Sequence, residues 1–243
     1  MDLGLNGKRA VVTGAASGLG AACCKSLADE GVEIVMVDIR QPDYSVPTKH
    51  AFVQVDLSDL ENVEKTIKNA VDHLGQIDIL VNCAGLWPTR FVCDMPTSEW
   101  VKTMDVNMTS VFILCRDFVN HCVEDDRQGV IMNVTSQAGF GGATSGHAHY
   151  AAAKAAMINF TRSLARETGK KKIRVNAIAP GMMKTAMAKD ALEDRLETYL
   201  KRIPVGRISE PSEVADVITF LVSEKNTYMT GAAIDVSGGM LMH

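Results

Sequence analysis

The chain lacks the sequence marks of several large protein classes. Its six cysteines include no C-x-x-C pair: Cys23 and Cys24 are adjacent and the others are scattered singles, so zinc-ligand spacing is missing. They read as reduced, mostly buried thiols of an intracellular chain. No apolar run approaches the length of a membrane span, and the opening MDLGLNGKRAVVTG has no basic stretch leading into a long apolar one. The expectation is a cytoplasmic protein with no signal peptide and no membrane partner. Neither sign of charge dominates, because 25 Lys and Arg stand against 29 Asp and Glu, a formal charge of −4. That gives no electrostatic reason to bind nucleic acid or anionic lipid. Repeats, low-complexity tracts and linkers are missing as well. What remains is a globular composition, 47% hydrophobic and 22% charged, in 243 residues. This length is ample for one sizeable core, and the expectation is a single domain over 1–243 acting on a small molecule.

Short Val/Ile-rich runs alternate with helical patterns along the chain. RAVVTG precedes a helix near 18–30, EIVMVD and AFVQVD precede one near 59–74, and DILVN precedes one near 108–124. GVIMNVTS then leads to a helix bearing Tyr150, IRVNAIAP to a helical excursion ending near 200, and a helix after Pro211 leads to AAIDVSGG. Nearly continuous apolar strands suit a sheet buried on both faces. The fold class is therefore α/β: a Rossmann-type, doubly wound parallel sheet flanked by helices, with right-handed crossovers. Ligands of such sheets sit beyond the carboxyl ends of the strands, where strand order reverses.

The residues after the strands carry the chemistry. After the first come Thr13, Gly14, Ala15, Ala16, Ser17, Gly18, Leu19 and Gly20. Glycines there let a backbone approach a pyrophosphate, and the following helix start offers free N–H groups and a favourable dipole. The spacing is G-x-x-x-G-x-G. Asp38 closes the second strand, where its carboxylate can accept from ribose hydroxyls and would repel a 2′-phosphate, so NAD is expected over NADP. Arg40 complicates that reading because a guanidinium binds phosphate well. Asp56 ends the third strand as either an adenine contact or a helix cap.

Tyr150 and Lys154 are four apart on one helix, which puts an ammonium beside a phenol. The expectation is that lysine lowers the tyrosine's pKa and makes it an acid/base group near neutral pH. Asn82-Cys83-Ala84-Gly85 follows the fourth strand, Asn107 lies in MDVNMTS, Ser136 follows the fifth strand and Pro180-Gly181 the sixth.

In this order and spacing the motifs resemble the short-chain dehydrogenase/reductase superfamily over essentially the whole chain. Cys83 departs from that family's N-N-A-G pattern, a small change that should leave the backbone role intact. The resemblance implies that Ser136 orients the substrate oxygen and that Tyr150 is the general acid/base. It implies that Lys154 tunes Tyr150 and holds the nicotinamide ribose, and that Asn107 holds a water linking Lys154 to solvent. It also implies a cofactor set that adds Leu57, Asn82, Ala84, Gly85, Met183 and Thr185 to the glycine turn and the strand-end residues. Hydride would pass directly between the substrate carbon and the nicotinamide.

Substrate identity is thinly written. QAGFGGATSGHAH, from Gln137 to His149, joins the serine to the tyrosine, and Gln137, His147 and His149 could bond a hydroxylated substrate. A polyol, sugar or hydroxyketone is expected on that basis, with no metal. Trp87 and Met182, with Leu86, Pro88, Met183 and Met187, supply an apolar side, and a segment of about 182–210 would cover the substrate. The main alternative is a 3-oxoacyl-[acyl-carrier-protein] reductase using NADPH, which the carboxyl-terminal IPVGRISEPSEVADVITFLVS resembles. Glu124-Asp125-Asp126 weighs against a basic carrier-docking face, and Lys170, Lys171 and Lys172 weigh for it. A catalytically silent nucleotide sensor is the reading from another class. The resemblance also implies a homotetramer or homodimer paired through the helices at 108–124 and 150–167, where Ala151, Ala152, Ala155 and Ala156 allow close contact. The tail Gly239 to His243 would join a further interface.

Overall fold

The computed structural model describes residues 2–143 and 146–242. Seven strands form one all-parallel sheet: β1 (Arg9–Thr13), β2 (Glu33–Asp38), β3 (His50–Gln54), β4 (Ile79–Asn82), β5 (Gly129–Val134), β6 (Ile173–Pro180) and β7 (Ala233–Val236). The strand order is β3-β2-β1-β4-β5-β6-β7. The chain thus winds outward from β1 in one direction and from β4 in the other, which opens a crevice at their carboxyl ends. Register follows side-chain alternation. Val11 pairs with Val35 and points to one face, whereas Ala10 and Val12, paired with Ile34 and Met36, point to the other.

The helices are α1 (Gly18–Asp29), α2 (Leu60–Val63), α3 (Thr66–Leu74), α4 (Thr97–Met104), α5 (Ser110–Glu124), α6 (Ala138–Gly141), α7 (Ala148–Thr168), α8 (Lys189–Leu200) and α9 (Pro211–Val222). Residues of α3, α5 and α7 cover the Val11 face, while α1 and α9 cover the other. Fully buried Phe118, Leu114, Leu27 and Ile218 lie in these two layers, and each contributes about 1.5–3 kcal/mol through burial. Pro211 opens α9, and Glu210 and Glu213 cap it reciprocally, the chemistry that marks a helix start in sequence.

Three local features depart from the sequence reading. The helix expected over 59–74 is broken at Glu64 and Lys65, with Asp59 accepting from the Asn62 N–H (3.3 Å) to start its short first part. The eight-residue α4 was not expected at all. It runs through a wide π turn, Asp105–Thr109, directly into α5. Among the described residues, no helix is long and apolar enough to cross a membrane.

Candidate active site

The crevice above β1 and β4 is a cleft of about 840 Å³. At one end lies the glycine turn. Gly14 has φ +70°, and a Cβ there would meet Ala84 Cα at 2.8 Å; a Cβ on Gly20 would meet the Gly14 carbonyl oxygen at 2.1 Å. Close packing of turn on strand therefore requires these glycines. Ser17 stands at the N-cap of α1 in extended conformation without capping through its side chain, and the first turn of α1 holds no acidic residue. The helix start so presents uncompensated N–H groups and the positive end of its dipole to the cleft. Such an end, at the edge of a long crevice, fits the pyrophosphate of a dinucleotide.

Further along the same wall, Asp38 is fixed by two backbone donors. Its Oδ2 accepts from Ala16 N–H (2.9 Å) and its Oδ1 from Arg40 N–H (3.0 Å). Asp56 and Leu57 line the cleft beside it. Asp56 Oδ1 accepts from the Ser58 N–H (2.8 Å) and hydroxyl (2.7 Å), which hold its carboxyl below the usual range. It is a turn-former at the cleft edge.

Of the expected cofactor residues, Asn82 is misplaced. Its side chain is buried beneath the floor, donating to Asn133 Oδ1 (2.8 Å), and Asn133 donates in turn to Thr161 Oγ1 (2.9 Å). A strand-end asparagine points to one face or the other by register, and here it faces the core. The floor consists instead of Cys83, Ala84 and Gly85. Thr13, absent from the expected set, holds this segment: its Oγ1 accepts from Cys83 N–H (3.0 Å) and Ala84 N–H (3.1 Å). The Cys83 substitution leaves that backbone bond in place. A polar residue ending an otherwise apolar strand was the available signal.

Ser136, Tyr150 and Lys154 converge beyond Gly85, and Pro180, Gly181, Met183 and Thr185 complete the wall. Lys154 is buried, donates to the Val134 carbonyl (2.7 Å), and places Nζ 5.7 Å from the Tyr150 ring centre. Burial lowers its pKa to about 8, with Cys83 pulling the other way. Tyr150 corrects the expectation. Burial raises the phenol above its ordinary value, and the group that opposes this is the Ser136 hydroxyl rather than lysine. Desolvation is the larger of these two effects.

Asn107 lies in the π turn, and its amide is engaged at both ends by Leu86: Oδ1 accepts from Leu86 N–H (2.8 Å) and Nδ2 donates to Leu86 O (2.9 Å). A Cβ on Gly85 would fall 3.0 Å from Asn107 Oδ1 and 3.6 Å from Lys154 Nζ. Asn107 thus fixes the segment that separates it from the lysine.

A second, smaller cavity of about 270 Å³ shares Trp87, Ser136, Tyr150 and Thr185 with the cleft. Gln137 and Met182 line it, as expected of substrate residues, together with Met187, Tyr199 and Arg202. The chain that forms this wall is tied at its ends, because Met182 O accepts from Ser209 N–H (3.3 Å) and hydroxyl (3.1 Å).

The two histidines do not line either cavity. His147 is buried behind Trp87, stacked on it at 4.6 Å, with Nδ1 against Pro88 O (2.9 Å). His149 is fully buried, with Nε2 3.5 Å from Glu99 Oε1. A residue opening a helix turns its side chain toward whatever packs there, and α4 with the loop 86–90 does so; because α4 was missed, these partners were too. Thr144 and Ser145 of the same stretch lie outside the described residues, as does His243. Among the described residues, no group of three or more His, Cys, Asp and Glu is placed to hold a metal ion.

Comparison with known proteins agrees with this geometry. A family model described as enoyl-(acyl carrier protein) reductase matches residues 14–241. The chain is 35% identical to the 3-oxoacyl-[acyl-carrier-protein] reductase of Thermotoga maritima, covering 98% of this chain and 99% of the relative. Among solved structures, L-sorbose reductase from Gluconobacter frateurii, complexed with NADPH and L-sorbose, superposes with a TM-score of 0.91 at 31% identity over 100% of both chains. The 3-ketoacyl-(acyl-carrier-protein) reductase of Brucella melitensis, complexed with NADH, gives 0.88 at 29% identity over 98% of this chain and 100% of that one. With its sheet order, its glycine turn and its Ser136, Tyr150 and Lys154 in one cleft, the chain belongs to the short-chain dehydrogenase/reductase family of NAD(P)-dependent oxidoreductases.

Proposed function

We propose that the protein interconverts a small, free secondary alcohol and its ketone with NAD(H). The observation that carries this reading is the wall of Ser136 and Tyr150 shared by a dinucleotide-sized cleft and a chamber too small for a second nucleotide. The bound cofactor would give or take the hydride at the reacting carbon. Ser136 donates a hydrogen bond to the substrate oxygen, and Tyr150 supplies the proton in reduction and removes it in oxidation. Lys154, charged below about pH 8, faces the same wall and would bind the nicotinamide ribose. Asn107 is a positioning residue, holding Leu86 and the Gly85 floor. The glycine turn takes the pyrophosphate, and the segment 182–210 covers the substrate.

Asp38 supports NAD over NADP, because its carboxylate is anchored in the cleft by two backbone donors and cannot readily turn away from a 2′-phosphate. The exposed Arg40 lines the same stretch and is the group there that would favour a phosphate. An absorbance assay with NADH and NADPH against ketones, ketoses and a short 3-oxoacyl thioester tests cofactor and substrate together. A higher kcat/KM with NADH on a free ketone is expected; a higher value with NADPH on the 3-oxoacyl thioester would favour the second reading.

That second reading, a 3-oxoacyl-[acyl-carrier-protein] reductase, is favoured by the 35% identity over nearly full length. Against it, the corner around 124–127 and 170–172 is of mixed sign: Lys172 pairs with Asp126 (3.3 Å) and Arg127 with Asp78 (2.6 Å), whereas an acidic carrier needs a basic face. The polyol or sugar expectation has lost its two histidines and rests on Gln137 alone. We also infer a cytoplasmic homotetramer or homodimer built through α5 and α7, where Phe112 is exposed and edge-packed on Phe160. Light scattering showing a monomer would refute the assembly.

A further inference from the structure

We propose that Arg202 recognises a carboxylate at the far end of the substrate, so that the ketone reduced, or the alcohol oxidised, belongs to a small keto or hydroxy acid. This rests on the dehydrogenase reading above and names its substrate class.

The chamber opening from Ser136 and Tyr150 is lined by uncharged groups throughout, with one exception. Trp87, Met182, Met187 and Tyr199 supply the apolar wall, Gln137 one neutral polar group, and Arg202 the single formal charge among the described lining residues. Among the described residues no carboxylate lines the chamber. Three other cations along the covering segment are paired, Lys184 with Glu210, Arg207 with Glu213 and Lys189 with Glu193, while Arg195 and Lys201 do not line the chamber. The Arg202 guanidinium has no ion pair or side-chain hydrogen bond among the described residues.

Its backbone, by contrast, is held. Tyr199 and Ile203 on either side are buried in one apolar cluster, and the Arg202 N–H donates to Tyr199 O (2.9 Å). A cation with fixed backbone, free side chain and an otherwise neutral cavity in front of it is complementary to one oxyanion, and guanidinium geometry suits a carboxylate in a bidentate pair. The chamber measures about 270 Å³, room for a short-chain acid.

Acetoacetate and levulinate, each paired with its methyl ester, place a carboxylate at two distances from a ketone. The expected result is a wild-type kcat/KM for at least one acid roughly tenfold or more above its ester, the lower end of a charge-assisted bond because Arg202 is exposed. Arg202→Leu should erase that preference through KM, lowering kcat/KM on the acid by roughly tenfold more than on its ester, and Arg202→Lys should retain part of it. Equal loss on acid and ester, or no acid preference in the wild type, overturns the proposal while leaving the dehydrogenase reading intact. If neither acids nor esters react, that reading fails on this panel, and a binding arm still decides Arg202. In a Trp100→Phe background, propionate but not propionamide should quench Trp87 fluorescence saturably, and Arg202→Leu should abolish the effect. Identical titrations in the presence and absence of Arg202 would refute it.

Discussion

At the end of the cleft proposed for the nucleotide the wall is mostly backbone, whereas the chamber proposed for the substrate is walled by long side chains. Gly14, Gly18 and Gly20 bring main chain to the surface, and even Asp38 is set by main-chain donors. Across the junction stand Trp87, Met182, Met187, Tyr199 and Arg202, on loops and a helix outside the sheet. A backbone-built site tolerates almost no change in shape, because a new Cβ strikes atoms that belong to the fold itself. A side-chain-built site can be rewritten one residue at a time while the reaction stays the same. The family's shared chemistry and this protein's own selectivity are thereby placed on different physical supports.

The largest effect should come from the junction. Tyr150→Phe is expected to lower turnover by about 10²–10⁴-fold, the usual value of general acid/base catalysis, with NADH binding by fluorescence little changed. Loss of binding instead would make Tyr150 part of the nucleotide wall alone.

Next is the cost of burying Lys154. Its proton leaves at about 8 in the native protein against 10.5 for an ordinary lysine. Between these values the unfolded chain holds a proton that the native state lacks, so stability against unfolding rises with pH through that window. The rise amounts to on the order of 3 kcal/mol by linkage. Urea titrations from pH 7 to pH 10.5 should show it as the difference between the wild type and Lys154→Met, because the Cys23, Cys24, Cys115 and Cys122 thiols, held above their ordinary values, lower stability at the alkaline end in both.

Paired glycine substitutions compare the two ends directly. Gly20→Ala puts a methyl 2.1 Å from the Gly14 carbonyl oxygen, whereas a Cβ on Gly141, beside the chamber, meets nothing within 4 Å. The first should cost about 1–3 kcal/mol and weaken nucleotide binding; the second should stay within about 0.5 kcal/mol. Thermal unfolding with and without NADH reads both. A selectivity effect rather than a stability effect is expected at Asp38. Asp38→Ala should reduce the kcat/KM preference for NADH over NADPH by roughly tenfold, about the worth of one hydrogen bond to a charged group, and an unchanged ratio would transfer cofactor choice to Arg40.

The same contrast explains what could be read from the sequence. The sheet, its parallel sense, the glycine turn and Asp38 follow from local patterns: apolar runs, turn glycines and residues at strand ends. The convergence of Ser136 with Tyr150 and Lys154 follows from the family resemblance of the ordered motifs. His147 and His149 were misread because their partners, Pro88 and Glu99, are about 50 to 60 positions away in sequence, and Glu99 belongs to a short helix with a weak signal. Asn82 was misread by facing alone, since a strand end offers both faces. The raised Tyr150 pKa reflects burial, which spacing on a helix does not reveal. Arg202 was invisible for a simpler reason: a surface arginine acquires meaning only when a cavity is found in front of it.

The central claim is that hydride crosses from the cleft to the chamber at the wall formed by Ser136 and Tyr150. Reduction of the best ketone in the panel with NADH deuterated at either C4 position, followed by mass spectrometry of the alcohol, tests this directly. One of the two labelled cofactors should deliver a single deuterium to the carbinol carbon, and the other none. An alcohol unlabelled with both would contradict direct transfer and the account built on it.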